Sequence, residues 1–267
     1  MRLWVADGEC GLMTVDRRGC RTAGPPGRLL CRAGERVFCA GESACYCCDA
    51  AGNMLHRFSI PSGACAMEAA GGRVYLLSSD ADSLSAWDAA TGALILSAPA
   101  GVYPRGLAIR ADGRLLAAAG GAAGEILLFS ADLRLLQTYR VPGVAVGVCF
   151  LPKGLAALCA VGEGEVSGTL LRISPMGVVK ALFSCAETPC CLCRAGDGCA
   201  AGCCGRVYFF GGQGRLLRSL SCACPERLRA CGPWTLIADP WQGRVLLGDG
   251  ACVYEGASPS DALLIKE

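Results

Sequence analysis

The feature that most constrains the fold of this chain is a unit that recurs seven times. Seven prolines mark the units, and neighbouring markers stand 34 to 47 residues apart in a chain of 267 residues. The markers are Pro26, Pro61, Pro104, Pro142, Pro189, Pro225 and Pro259. A unit of about 38 residues is close to the size of one four-stranded β-propeller blade. Seven markers therefore predict seven blades.

A tight turn is the second repeated feature. Its best copy, Trp87-Asp88-Ala89-Ala90-Thr91-Gly92, lies between two short apolar runs. Related turns occur at residues 15–19, 48–52, 173–177 and 210–214, with a looser copy at 129–132. Short apolar runs joined by turns of this kind predict β-hairpins.

Residues 103–141 show one complete unit. Their segments YPRGLAIRADG, RLLAAAGG, EILLFSAD and RLLQTYRV predict an inner strand with its turn, then a second, a third and an outer strand. No window of the chain keeps the apolar spacing of a helix for three turns without Gly or Pro. We predict an all-β, seven-bladed propeller with four-stranded blades, formed as a single domain by residues 1–267.

The two ends of the sequence complement each other. Residues 2–24 supply only the second, third and fourth strands of the first blade, so its inner strand is missing. Residues 258–267, SPSDALLIKE, begin with a marker proline and have an apolar centre. We expect this C-terminal segment to complete the first blade and close the ring, which would hide exposed strand edges.

The stretch from Arg73 to Gly113, RVYLLSSDADSLSAWDAATGALILSAPAGVYPRGLAIRADG, resembles the YVTN-repeat β-propeller family. The shared features are an extended run, an Asp-led turn that ends in Gly, and a Pro-Arg-Gly entry. The resemblance implies a propeller of the lactonase-like superfamily. Its members include extracytoplasmic binding proteins and, as relatives in fold, bacterial lactonases, so it leaves both binding and hydrolysis open.

Charge and hydropathy argue against nucleic acid and membranes as partners. The chain has 25 Lys and Arg against 23 Asp and Glu, a net charge of +2, and nucleic-acid binding requires clustered cations. The first residues form no apolar signal core, and the longest apolar tract is interrupted by Pro152-Lys153-Gly154. We expect a monomeric cytoplasmic protein that uses no cofactor.

Cysteine is unusually common, with 21 residues in the chain. Cys45 and Cys48 form one CxxC pair and Cys190 and Cys193 another, so these four are the candidate metal ligands. Neighbouring side chains of a strand point to opposite faces, which favours packing of cysteine as a small hydrophobe instead. A metal or redox module would require residues 45–48 and 190–204 to converge.

Catalytic residue types are scarce. His56 is the one histidine, and it lies in a predicted outer strand, away from the axis. A lactonase-like hydrolase would need several carboxylates or histidines on successive inner strands, and only Glu68 qualifies. These observations favour a protein that is not an enzyme.

Charged residues are expected at both mouths of the central channel. At the mouth that carries the prolines, three arginines and three acids cancel: Arg28, Arg105, Arg227, Glu187, Glu226 and Asp261. Loops at the same mouth add Glu42, Asp80, Asp82, Glu125, Glu163 and Glu165, so this rim is expected to be mildly acidic, as a solvated surface or a cation site. At the opposite mouth, the residue predicted to end each inner strand is basic in six blades, with Glu68 the exception. These residues are Arg32, Arg110, Lys153, Arg194, Arg229 and Lys266.

The six cations, together with Arg105, are the predicted ligand-binding set. Like charges in a ring attract an anion or an acidic partner. In the alternative interpretation, each arginine stays in water while its stem covers the neighbouring blade. We favour a non-enzymatic binding or scaffold module for a protein or small anionic ligand. The alternatives are a lactonase-like hydrolase and a cysteine-based metal or redox module.

Overall fold

The computed structural model describes residues 2–16, 19–24, 26–162 and 165–265. Within those ranges the chain forms 28 β-strands in seven four-stranded sheets, and one short 3-10 helix, Pro240–Gln242. The prediction of an all-β propeller with seven four-stranded blades is confirmed. Across the described ranges, no helix has both the length and the apolar character needed to cross a membrane.

The strands of each blade follow one another from the axis outward, except in blade 7. Blade 1 contains β4 (Leu29–Ala33), β5 (Arg36–Ala40), β6 (Ala44–Cys48) and β7 (Met54–Ser59). Blade 2 contains β8 (Ala64–Ala70), β9 (Arg73–Ser78), β10 (Ser83–Asp88) and β11 (Leu94–Pro99). Blade 3 contains β12 (Gly106–Ile109), β13 (Leu115–Ala119), β14 (Glu125–Ser130) and β15 (Leu135–Arg140).

Blades 4 to 6 repeat this order. Blade 4 contains β16 (Val144–Leu151), β17 (Gly154–Val161), β18 (Ser167–Ile173) and β19 (Val179–Cys185). Blade 5 contains β20 (Pro189–Ala195), β21 (Gly198–Cys203), β22 (Gly205–Phe210) and β23 (Leu216–Cys222). Blade 6 contains β24 (Arg227–Cys231), β25 (Trp234–Asp239), β26 (Arg244–Leu247) and β27 (Cys252–Glu255).

Blade 7 closes the ring with strands from both ends of the sequence. Its strand order is β28 (Pro259–Ile265), β1 (Arg2–Asp7), β2 (Gly11–Asp16) and β3 (Gly19–Gly24). The β28 strand runs antiparallel to β1, with Ile265 opposite Arg2. The sequence predicted that the C-terminal segment supplies the missing inner strand beside residues 2–24, and this closure, in blade 7, is confirmed.

The marker prolines stand where the repeat predicts them. Each one is the first residue of an inner strand, as Pro259 is in β28, or precedes the strand by two or three residues, as Pro104 precedes β12. Proline has no N–H group, and at a strand entry this removes no hydrogen bond from the ladder. The prolines therefore mark the start of the strands that surround the axis.

The Asp-led turn is stabilised by its own side chain. Asp88 Oδ1 accepts hydrogen bonds from the backbone N–H of Ala90 at 3.0 Å and of Thr91 at 2.7 Å. Gly92 has a φ of 72°, and a Cβ atom there would lie 2.6 Å from the ring of Phe58 in blade 1. Glycine thus allows the turn of one blade to lie against the outer strand of its neighbour.

Apolar side chains pack between neighbouring blades, and cysteine takes part in this packing. Cys39 and Cys48 are fully buried in a cluster with Trp4 between blades 1 and 7. Eleven of the 21 cysteines are buried, and all 21 are free thiols. In these strands the thiol packs as a small apolar group.

Candidate functional site in the central channel

A cavity of about 700 Å³ lies in the central channel. The inner strands of blades 1 to 6 all contribute to its lining. The cavity extends from Arg105 at the proline-bearing mouth to Arg194 near the opposite end. Charged side chains from the inner strands and from the connections that enter them line this cavity.

The charged lining of this cavity is predominantly cationic. It consists of five arginines and two glutamates: Arg28, Arg105, Arg194, Arg227, Arg229, Glu68 and Glu226. The whole chain carries a net charge of only +2. Positive charge is therefore concentrated in the channel.

Arg229 is the most enclosed of these cations and is held by two carboxylates. Its Nη2 lies 2.7 Å from Asp261 Oδ2, and its Nη1 lies 3.6 Å from Glu68 Oε1. The same Nη2 donates to the carbonyl oxygen of Leu30 at 2.5 Å. The inner strands of blades 6, 7, 2 and 1 are thereby joined through one guanidinium.

Burial and charge act in opposite directions on this group. Burial alone lowers the pKa of Arg229, but the carboxylates of Asp261 and Glu68 more than offset it and hold that pKa above its ordinary value. Burial raises the pKa of Glu68, and the nearby Arg229 only partly opposes that rise. Arg229 is therefore a fixed cation, whereas burial makes Glu68 harder to ionise than a carboxyl in water.

A second group of cations lies at the proline-bearing mouth. Arg105 is exposed there, and Arg227 Nη2 donates to the carbonyl oxygen of Cys65 at 2.7 Å. The Nε of Arg227 is buried and has no hydrogen-bond acceptor among the residues that the structure describes. Arg28 lies 3.9 Å from Glu226, a long ion pair with a largely exposed arginine. This mouth presents guanidinium groups that its own acids leave partly unpaired.

The positive charges of Arg105 and Arg227 also act on the thiol of Cys65. Burial raises the pKa of Cys65 to about 11, and the positive charges of Arg227 and Arg105 oppose that rise. Arg105 and Arg227 both line the cavity with Cys65, and Arg227 is hydrogen-bonded to the backbone of that residue. An anion beside Cys65 would interact with both guanidinium groups.

Three of the seven predicted cations line the cavity, namely Arg105, Arg194 and Arg229. Arg194 uses its Nε to donate to the carbonyl oxygen of Gly196 at 3.1 Å and is otherwise exposed. Arg229 lies in the middle of β24, not at its end, and this places it inside the channel.

Three of the other four predicted cations are described by the structure, and none of the three lines the cavity. Arg32 pairs with Glu35 of its own turn at 3.3 Å, and Arg110 pairs with Asp112 at 2.7 Å. Lys153 is exposed in the turn that follows β16. Lys266 lies outside the described residues. Among the described residues, Arg32, Arg110 and Lys153 therefore do not line the cavity.

Sequence reasoning treated the arginines at the proline-bearing mouth as balanced by acids, and two of those acids are engaged elsewhere. Asp261 is fully buried against Arg229. Glu187 accepts a hydrogen bond from the hydroxyl of Tyr208 at 2.8 Å and does not line the cavity. Of the three acids, only Glu226 faces the cavity. The sequence placed Arg28 and Arg227 at this mouth, but it did not indicate which way the side chains of the acids point.

The single histidine is remote from the channel. His56 lies in the outer strand β7, where its ring packs against Phe38 and Phe58 with centroid distances of 6.4 and 6.1 Å. Burial lowers its pKa. This location agrees with the predicted outer-strand position.

The two predicted CxxC pairs lie in different blades. Cys45 and Cys48 are buried in β6 of blade 1, whereas Cys190 and Cys193 belong to β20 of blade 5. Cys190 instead lies with two cysteines from other segments. Its Sγ is 3.5 Å from that of Cys204, which is 3.7 Å from the Sγ of Cys224.

The sheet topology and the axial cavity define the chain as a seven-bladed β-propeller. No protein-family model matches the sequence, and no curated protein is significantly similar to it. The similarity to the YVTN family thus remains an interpretation of the repeat.

Solved structures with the same fold are numerous. A putative 6-phosphogluconolactonase from Bacteroides uniformis superimposes with a TM-score of 0.76 at 12% identity, over 99% of each chain. A second, from Bacteroides fragilis, gives a TM-score of 0.71 at 12% identity, over 99% of this chain and 98% of that chain. Kuenenia stuttgartiensis hydrazine synthase gives 0.67 at 14% identity, over 83% of this chain and 76% of that chain. At such identities the likeness establishes the propeller fold and leaves the function open.

Proposed function

We propose that this propeller is a binding module that takes a small anionic ligand at the proline-bearing mouth of its channel. The observation that carries the proposal is the excess of guanidinium groups in the cavity lining, five arginines against two glutamates. Arg229 is neutralised by its own two carboxylates. Of the remaining four arginines in the lining, Arg28, Arg105 and Arg227 lie at this mouth with one lining acid, Glu226, and Arg194 lies near the opposite end.

Arginine is suited to this task. Its planar guanidinium can donate two parallel hydrogen bonds to a carboxylate or phosphate. The cavity volume of about 700 Å³ falls within the range of about 300 to 1,000 Å³ that small-molecule sites occupy. The expected ligand class is a small molecule that carries a phosphate or carboxylate group.

Calorimetric titration at low salt tests the proposal, with inorganic phosphate and 6-phosphogluconate as probes. The second probe carries both anionic groups and is suggested by the names of two similar structures. We expect the variant Arg105→Glu to bind at least about tenfold more weakly, because it places a carboxylate where the ligand's charge would lie.

Arg57→Glu is the matched control, because Arg57 is exposed in the outer strand β7 and its reversal changes the net charge equally. Binding by the control should equal that of the parent protein. Absence of binding by the parent, or equal losses in both variants, would overturn the proposal.

Lactonase-like hydrolysis is the second candidate, and Glu68 is the observation that favours it. Its carboxyl group lies in the channel beside Arg229, and burial raises its pKa toward the range useful for a general base. Hydrolysis of 6-phosphogluconolactone faster than in buffer, abolished by Glu68→Gln, would support this candidate. No acceleration by the parent protein would exclude it for that substrate.

A further inference from the structure

Three thiols from separate segments converge beside the proline-bearing mouth. Cys190 comes from the start of β20, Cys204 from the turn between β21 and β22, and Cys224 from the connection that precedes β24. Their sulfur atoms all lie within 4.8 Å of one another. Cys190 and Cys224 are partly buried, and Cys204 is exposed.

The backbone holds the three segments in this arrangement. The N–H of Cys204 donates to the carbonyl oxygen of Thr188 at 2.9 Å, and the N–H of Gly205 donates to that of Ala223 at 2.8 Å. The β21–β22 turn is thus attached to both of the other segments. The register of β20 against β21 also shifts between Pro189 and Cys191, so Cys190 lies at a β-bulge. The regular alternation of side chains along a strand therefore does not predict the direction of the Cys190 side chain.

We propose that Cys190, Cys204 and Cys224 form a binding site for one thiophilic metal ion, Zn²⁺ or Cu⁺. Thiolate ligands select these ions over harder ones. Metal–sulfur bonds of about 2.3 Å in a tetrahedral arrangement place two sulfurs about 3.8 Å apart. The observed separations of 3.5 and 3.7 Å need only small adjustments to accept an ion.

The site has three protein ligands and one open position. Within the described residues, the group of potential ligand atoms contains these three sulfurs. Because Cys204 is exposed, the fourth position faces solvent and can take water or an external ligand. A three-coordinate Cu⁺ would leave that position empty.

Binding exchanges protons for the ion and transfers no electrons. Each thiol that ligates the metal releases its proton to solvent, up to three per ion. Because each ligating thiol must lose its proton, metal affinity increases as the pH rises. This pH dependence is a second measurable property of the site.

The test is a titration of the full, reduced chain with Zn²⁺ in competition with a chromophoric chelator, and with Cu⁺ under anaerobic conditions. We expect one high-affinity equivalent of at least one of these ions. Co²⁺ should give sulfur-to-metal charge-transfer absorption at the same stoichiometry. The variants Cys204→Ser and Cys224→Ser should each weaken binding by about tenfold or more, since each removes a ligand.

Cys252→Ser is the matched control, because Cys252 is an exposed cysteine in the outer strand β27. It should bind like the parent protein. Circular dichroism identifies any variant that fails to fold. Cys204→Ser is the variant least expected to misfold, because the Cys204 side chain is exposed. The proposal fails if the reduced protein takes up neither ion, if it forms only a Cys190–Cys204 disulfide, or if the control loses as much affinity as Cys204→Ser.

Discussion

The guanidinium Nη2 of Arg229 lies 2.7 Å from the carboxylate Oδ2 of Asp261, and the Asp261 side chain is fully buried. Arg229 belongs to the inner strand of blade 6, and Asp261 to the strand that closes the ring in blade 7. Asp261 Oδ2 also accepts a hydrogen bond from the backbone N–H of Leu30 in blade 1 at 2.8 Å. One buried ion pair therefore spans the closure of the propeller.

Replacing Arg229 with Met should strongly destabilise the protein. The change leaves a fully buried carboxylate without its cation, which costs about 3 to 5 kcal/mol of the free energy of unfolding. Urea denaturation measures the loss. Arg32→Ala is the control, because the partner of Arg32, Glu35, is exposed. This substitution should change the free energy of unfolding by about 0.5 kcal/mol or less. Similar effects of the two substitutions would show that the buried pair has no special role.

Deletion of residues 261–267 should give an unfolded or aggregating product. The deletion removes most of β28, so β1 would lose its partner and expose an unpaired edge. Size-exclusion chromatography and thermal melting test this expectation. A truncated protein that is monomeric and melts at the parent temperature would contradict the assigned closure.

Asp7→Asn should reduce stability in a pH-dependent way. Burial opposes ionisation of Asp7, but hydrogen bonds from the backbone N–H groups of Glu9, Cys10 and Ser258 and from the Tyr254 hydroxyl outweigh it and lower the pKa of Asp7. Its stabilisation is therefore present above the unfolded-state pKa of about 3.9 and is lost as the pH falls through the lower folded value.

We expect the Asn variant to lose about 1 to 3 kcal/mol at pH 7, because hydrogen bonds to a charged group are replaced by weaker ones. Denaturation curves of the parent and the variant should converge as the pH approaches 2. An equivalent change at the exposed Asp197 should have little effect at either pH. A difference at Asp7 that is constant from pH 7 to pH 2 would exclude ionisation as its source.

Glu226→Gln should strengthen the binding of phosphate at the proline-bearing mouth. The change removes the carboxylate that pairs with Arg28 at 3.9 Å and leaves the cations in place. We expect a gain of about threefold to tenfold at low ionic strength, decreasing as salt is added. Calorimetry at two salt concentrations measures both. Weaker phosphate binding in the Gln variant would argue against an electrostatic site at this mouth.

Gly121→Ala should destabilise the protein more than Gly34→Ala. Both glycines have positive φ, 54° and 60°, so both substitutions introduce backbone strain. A Cβ at Gly121 would also lie 1.8 Å from the carbonyl oxygen of Tyr103, whereas nothing lies within 4 Å at Gly34. The additional loss should be about 1 to 3 kcal/mol, measured by thermal melting. Equal melting temperatures would disprove the close contact.

The fold could be predicted because its signals are local and repeated. Pro104 precedes an inner strand, and Asp88 and Gly92 define a hairpin turn, through backbone properties that do not depend on distant residues. The ring closure was also predictable, since a missing inner strand at one end matched an extra strand at the other.

The binding site was only partly predictable, because it depends on the orientation of side chains. Asp261 and Glu187 count as acids of the channel mouth in the sequence, yet each is bound to a partner away from the open cavity. Arg229 was expected at the end of its strand and lies in the middle of it. Convergence of Cys190 with Cys224 depends on an irregular register, which a regular alternation of side chains does not indicate.

The pairing of β28 with β1 has a consequence during translation. The Ser260 hydroxyl donates to the carbonyl oxygen of Ala6, a residue 254 positions earlier. A nascent chain must therefore leave β1 unpaired on one side until the 254 positions that separate Ala6 from Ser260 have been synthesised. Until β28 has been made, β1 is an open strand edge, the kind of edge that templates pairing with another chain.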